Sequence, residues 1–283
     1  MNTIDSRNHE LGQDGHARGD VVIESDKSAE DERPTMPTRA VTSRFITSLS
    51  PKNGSLAPKG APVIAKKSRP LSDRESGSIA RLQAEFLHVS LPLFFSDQLP
   101  VQSIGVTSAV AGEGKTLSAL LASHALATSS RRPVLLVECD WDRPTLSRDL
   151  HLPASPGLSE WLRGTTDRSD VRHQFMPNLT VVPAGLGGPD AMTALAELQR
   201  PELRERLADP DELMILDLPS VLGSYYGVLA ARLAEALFLV VRAGSTPASF
   251  VTRAAEELKD LRVEGIVLNQ VHTRVPRWLQ SLL

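Results

Sequence analysis

From Ser78 onward two rhythms alternate along the chain. Six short runs carry the length and branched apolar content of buried strands: VQSIGVTS (101–108), PVLLVE (133–138), LTVVP (179–183), LMILD (213–217), ALFLVV (236–241) and GIVLNQV (265–271). Between them lie stretches with a helical period. TLSALLASHALA (116–127) is one, and PASFVTRAAEELKDL (247–261) is another, in which Val251, Ala254, Ala255 and Leu258 fall on one face. A third, IARLQAEFLHVSLPLFF (79–95), leads into the first strand. Strand–helix alternation predicts an α/β fold, a three-layer sandwich whose parallel central sheet is flanked by helices on both faces.

The pattern is missing from the first quarter of the chain. Residues 1–74 are rich in Ser, Pro, Gly and charge, with Phe45 the sole aromatic residue. Such a segment buries too little apolar surface to offset its ordering entropy, so it reads as a disordered N-terminal tail ahead of one domain at 75–283. Its charge is divided. Asp5–Glu32 is mostly acidic, whereas Arg39–Arg69 is basic and carries no acid. That half reads as a solvated linker or as an arm that touches acidic lipid or a partner.

Composition narrows the function classes. A formal net charge of -3 argues against a nucleic-acid partner by bulk charge. A single cysteine, Cys139, excludes a disulfide framework and a Cys-rich metal site, and fits a reducing compartment. No apolar run approaches the roughly 20 residues that span a bilayer, and the start MNTIDSRNHELG lacks the apolar centre of a signal peptide. The expected location is therefore cytoplasmic.

The stretch TSAVAGEGKT (107–116) carries the chemistry. It follows a strand and opens a helix, which is the context a phosphate-binding loop requires. Gly112 and Gly114 flank Glu113 and let the backbone fold closely around an anion, with amide N–H groups and the helix N-terminus pointing at it. Lys115 supplies a cation for the outer phosphates, and the Thr116 hydroxyl is placed to ligate Mg²⁺. The first glycine of the general motif is replaced by Ala109. An acid is also needed at the end of a neighbouring strand, and Asp217 stands there. An aspartate in that place is ordinarily a turn residue, but downstream of GEGKT it becomes the second half of a magnesium–nucleotide site. VLLVECDWDRP (134–144) ends a further strand in Glu138, Asp140 and Asp142. If the strand persists, the three carboxylates share one side and call for a cation among them; the alternative is a solvated acidic turn.

Three motifs in this order resemble those of the bacterial tyrosine kinases, P-loop proteins that regulate capsule and exopolysaccharide export. TSAVAGEGKT is similar to the family's loop, in which alanine is common at the position of Ala109. LLVECDWDRP resembles its second motif and MILDLPSVLG its third. GLSEWLRG (157–164), VVPAG (181–185), LVVRAGST (239–246) and GIVLNQV extend the likeness, which runs from about Ser78 to His272. The resemblance implies a P-loop NTPase fold with ATP and Mg²⁺ as cofactors. It places Ala111, Gly112, Glu113, Gly114, Lys115, Thr116 and Leu117 on the phosphates and Asn269 near the adenine. Thr116, Asp140 and Asp217 would form the metal site, and Lys115, Asp140 and Glu138 would be catalytic. Its implied partners are a membrane polysaccharide co-polymerase, chain-length or export protein, which would hold the protein at the inner face of the membrane, and further copies of itself.

Several positions depart from the family. Glu138 stands where the second motif has its first aspartate, Asp142 where a basic residue is usual, and Ala111 where a proline precedes GEGK. The entry helix lacks the family's ring-assembly pattern. RVPRWLQSLL (274–283) carries no tyrosine, and the two tyrosines present are Tyr225 and Tyr226. Two functions therefore stand side by side: a kinase acting on tyrosine, and a catalytically weak, nucleotide-dependent regulator of an export protein. A septum-site or partitioning type ATPase is a third reading, but Val110 occupies the position of that group's early loop lysine. Cys139 and Trp161 read as core residues, the tyrosine pair as structural, and Trp278, Leu279 and Leu282 as packing on the domain.

Overall fold

The computed structural model describes residues 73–95, 100–130, 132–186 and 191–270. The tail expected over 1–74 lies outside these, save Asp73 and Arg74, which begin the first helix. The segment from Val271 onward, with Trp278, Leu279 and Leu282, also lies outside them.

Seven strands form one sheet: β1 (Ser103–Ser108), β2 (Val134–Glu138), β3 (His173–Met176), β4 (Leu179–Val182), β5 (Leu213–Asp217), β6 (Ala236–Arg242) and β7 (Val263–Asn269). Their order is β3-β4-β2-β5-β1-β6-β7. All six sequence-predicted strands are present and parallel to one another. The seventh, β3, pairs antiparallel with β4 at the edge. Its half-buried sequence HQFM lacks the apolar run that marks the others, so it escapes a pattern search.

Alternating strand residues feed two cores. On one face Ile104, Val106, Leu136, Ile215, Phe238 and Val240 pack under α1 (Asp73–Phe94) and α2 (Lys115–Ser129). Helix α2 is buried over most of its circumference, which explains an apolar composition without a clear polar stripe. Phe86 of α1 meets Phe238 edge to face, with ring centroids 5.6 Å apart. Helix α1 begins earlier than its apolar pattern and ends at Phe94, two residues beyond Pro92, which has no N–H to continue the ladder.

The opposite face carries Leu135, Val137, Met214, Leu216, Leu237 and Leu239. It is covered by the short α4 (Leu158–Leu162), α5 (Arg168–Val171), α6 (Ala191–Leu198), α7 (Pro201–Leu207) and α8 (Gly227–Ala231), and by α9 (Ala248–Glu257), which contribute to the second core, whereas the short α3 (Leu146–Asp149) gives Leu146 to the first. On α9, Ala254 and Leu258 are buried and Val251 is half-buried, as the helical period predicts, but Ala255 is exposed. The buried stripe is narrower than the sequence suggests.

Candidate nucleotide site

Strand order reverses beside β1: the chain moves to β2 on one side and later to β6 on the other. In open parallel sheets the crevice beyond the strand ends at such a point receives ligands. Three strand ends converge there. Val106 of β1 and Glu138 of β2 are both register partners of Asp217 on β5.

The loop after β1 passes through Gly112 at φ +87° and Gly114 at φ +94° before α2 starts at Lys115. Both angles lie in the left-handed region that glycine tolerates. A Cβ at Gly112 would meet nothing within 4 Å, so the space above the loop is open. No acidic residue occupies the first turn of α2, which leaves its positive end free for an anion. Ala109 is fully buried in the second core, and its carbonyl accepts from Leu222 N–H at 3.0 Å. The position that departs from the general motif is thus a packing position, and the glycines that would cradle a phosphate lie further along the loop. Leu117 is also core, so only its backbone could serve a ligand.

The Lys115 ammonium lies 2.8 Å from Asp140 Oδ2 and 3.4 Å from Asp217 Oδ1, with all three side chains nearly withdrawn from solvent. Burial works against this ammonium, but Asp217 and then Asp140 outweigh it and hold its pKa above the usual lysine value. Burial likewise pushes the Asp217 carboxyl up, against the pull of Lys115. Asp217 Oδ2 is buried without a hydrogen-bond partner among the described residues. A buried carboxylate oxygen left in this way is a vacant acceptor that a hydrated cation satisfies. The Thr116 hydroxyl stands 3.4 Å from Lys115 Nζ at the same corner.

The acids of the second motif do not share one side. Strand β2 ends at Glu138, so the alternation that would align them stops there. Glu138 Oε1 accepts the N–H groups of Thr145 and Leu146 at the start of α3, and Oε2 accepts that of Ala184 after β4 at 3.1 Å. Three segments are therefore tied to one buried carboxylate. Desolvation raises its pKa to about 7, the charge of Asp217 adds to this, and the three amides resist it. Asp140 turns to Lys115 and accepts Arg143 N–H at 3.1 Å. Asp142 is exposed and accepts the Ser224 hydroxyl at 2.8 Å. The cation among the carboxylates is Lys115. Among the described residues no three His, Cys, Asp or Glu side chains converge to hold a metal ion by themselves.

Asn269 is buried at the end of β7 and donates from Nδ2 to the Glu113 carbonyl at 2.8 Å, so one arm of its amide is engaged by the loop. Tyr226 is fully buried. Its hydroxyl accepts the N–H of Trp141 at 2.9 Å and of Asp142 at 3.2 Å, bracing the turn that carries Asp140. Burial, and then Asp140, push its pKa up. Tyr225 is 72% exposed, and the two rings stack edge to face. Nothing in the sequence marks Tyr226 as a brace, because its partners lie about 85 residues away. Cys139 is buried, and burial pushes its thiol up, away from thiolate chemistry. Trp161 is core, as read from the sequence.

No protein-family model matches the chain. It is 27% identical over 161 residues to tyrosine-protein kinase ptk of Acinetobacter johnsonii, covering 56% of this chain and 22% of that protein. Tyrosine-protein kinase YwqD of Bacillus subtilis is 25% identical over 179 residues, covering 62% and 75%. The succinoglycan biosynthesis transport protein ExoP of Rhizobium meliloti is 27% identical over 173 residues, covering 59% and 22%. The chain thus matches about a fifth of the length of ptk and of ExoP. Among solved structures, the VpsO kinase domain aligns with a TM-score of 0.59 at 25% identity, covering 70% of this chain and 98% of that one.

Proposed function

We propose that this chain, which is similar to bacterial tyrosine kinases, binds Mg·ATP and transfers the γ-phosphoryl group to tyrosine in the control of exopolysaccharide or capsule synthesis and export. One observation carries the reading: Lys115, at the first turn of α2, is held between the carboxylates of Asp140 and Asp217 beneath an open glycine loop.

The residues present fit the nucleotide and its metal. The loop amides of 111–116 and the N-terminus of α2 would take the phosphates, and the Asn269 amide would lie near the base. Thr116 and Asp217 would hold Mg²⁺, directly or through water, and the metal would supply neutralisation of phosphate charge. The chain's own groups do the rest. Lys115 balances charge on the outer phosphate oxygens, and Asp140 and Asp217 hold its ammonium in place. Asp140 orients the tyrosine hydroxyl and accepts its proton as the oxygen–phosphorus bond forms, the bond to the β-phosphate oxygen breaks and ADP departs. Glu138 is less suited to that task, since both of its oxygens accept backbone N–H groups.

That engagement of Glu138 favours a second reading, a nucleotide-dependent regulator with weak or no transfer. In either form the proposed partner is a membrane polysaccharide co-polymerase or export protein. Among the described residues no helix is long and apolar enough to cross a membrane. The deciding experiment incubates the protein with γ-labelled ATP and a tyrosine-bearing partner peptide. Label retained on tyrosine and lost in Lys115→Ala establishes the kinase. Tight ATP binding without transfer establishes the regulator, and no binding by the wild type overturns both.

A further inference from the structure

We propose that Glu113 and Thr246 are positioning residues that couple the phosphate half of the nucleotide site to its base half. This rests on the nucleotide-binding reading above and adds a means by which the two halves are read together.

Glu113 sits at the crown of the glycine loop, yet its side chain is only 2% exposed. Its Oε2 accepts the Val110 N–H from within the loop at 2.7 Å. Its Oε1 accepts the Arg242 N–H at the end of β6 at 3.2 Å and also the Thr246 hydroxyl, in the turn between β6 and α9. The contacts then close into a ring. Thr246 N–H returns to the Arg242 carbonyl at 3.0 Å, and Ala243 N–H donates to the Asn269 carbonyl at 2.9 Å. The Asn269 side chain completes the ring by donating to the Glu113 carbonyl at 2.8 Å. One arc is the phosphate loop. The other is the strand end and turn that hold Asn269, the residue proposed to face the base.

A buried negative charge beneath a phosphate site opposes anion binding, so its presence calls for a reason. The donor set supplies one. Two backbone N–H groups and a hydroxyl converge from two elements, and only an acceptor-only group can take all three. A glutamine of the same shape would turn its NH₂ toward one of the N–H groups and release either the loop or the strand. An alanine would release both. The carboxylate therefore makes the loop's shape conditional on the β6–α9 turn, and that condition is the coupling.

Coupling between two sub-sites is measured as the factor by which one ligand changes the affinity of the other. Calorimetric titration of the intact protein with inorganic triphosphate, with and without saturating adenosine, reads it directly. In wild type, adenosine is expected to tighten triphosphate binding by about tenfold. In Glu113→Gln and in Thr246→Val the factor falls to near one, and Thr246→Ser, which keeps the hydroxyl, restores it. A merely structural role would shift the melting temperature or both affinities together and leave the factor unchanged. An unchanged factor in both variants, or a factor of one in a wild type that binds ATP, overturns the inference while leaving the nucleotide reading intact. A wild type that binds no ATP overturns the two together.

Discussion

The ends of β2 and β5 lie side by side, in register, and each finishes in a buried carboxylate. They are nonetheless different objects. Glu138 on β2 is surrounded by donors: three backbone N–H groups from two other segments meet its two oxygens. Asp217 on β5 faces Lys115 with one oxygen and leaves the other without a partner among the described residues. A buried carboxylate with all its acceptors filled is a tie that holds the fold. One with an oxygen to spare holds something else. The contrast assigns stability to one strand end and leaves its neighbour as the ligand proposed above for the metal.

The largest effects should come from removing each acid in turn. Glu138→Ala leaves three amides unpaired, so a stability loss of about 3 kcal/mol or more is expected by urea titration. Asp217→Asn should change stability by no more than about 1 kcal/mol, since Lys115 keeps Asp140, yet weaken Mg·ATP binding about a hundredfold. Equal destabilisation by both substitutions, with nucleotide affinity untouched in the second, would erase the contrast.

The tyrosine pair repeats the test at smaller scale. Tyr226→Phe strips two N–H groups of their acceptor and should lower stability by about 1–3 kcal/mol, while disturbing the turn that carries Asp140. Tyr225→Phe, on an exposed neighbour, should fall within about 0.5 kcal/mol of wild type. Chemical denaturation of the two variants in parallel separates them, and a larger loss for Tyr225→Phe would refute the assignment of Tyr226 as the brace.

The smallest effect lies further along α2, whose first residue is Lys115. His124 is half-buried against α1, where its Nδ1 lies 2.7 Å from Gln83 Nε2, and burial lowers its pKa below 6.5. The unfolded chain then binds the proton more readily than the folded one. The stability this contributes is present above pH 6.5 and is lost as pH falls through the lowered folded value. His124→Gln should flatten that acid limb in melts taken from pH 7 to pH 5. A limb of unchanged slope would show that burial is not what sets the titration there.

Much of this was legible in the sequence for a specific reason. A strand buried on both faces is apolar along most of its length, so β1, β2, β4, β5 and β6 announce themselves; the edge strand β7 carries a similar apolar run although Val263, Ile266 and Leu268 are exposed, and the glycine–lysine–threonine loop between β1 and α2 is a local motif with local geometry. The largely buried α2 and the entry helix α1 follow from the same logic. The half-exposed edge strand β3 does not, because exposure relaxes the constraint that writes the pattern. The alternation rule also misled at Glu138, Asp140 and Asp142, since a period of two holds only while the strand lasts.

By itself the sequence therefore determined the alternating α/β architecture, the position of the glycine–lysine–threonine loop and the acids available to it. The tertiary structure alone decided which acid faces Lys115, which one ties three segments together, and that Glu113 meets Thr246. Lys115 and Asp217 are 102 residues apart in the chain, and Glu113 and Thr246 are 133 apart. Hydrogen bonds and charges act over a few ångströms of space, whereas local pattern reports on a few residues of chain, and only the folded sheet converts the one distance into the other.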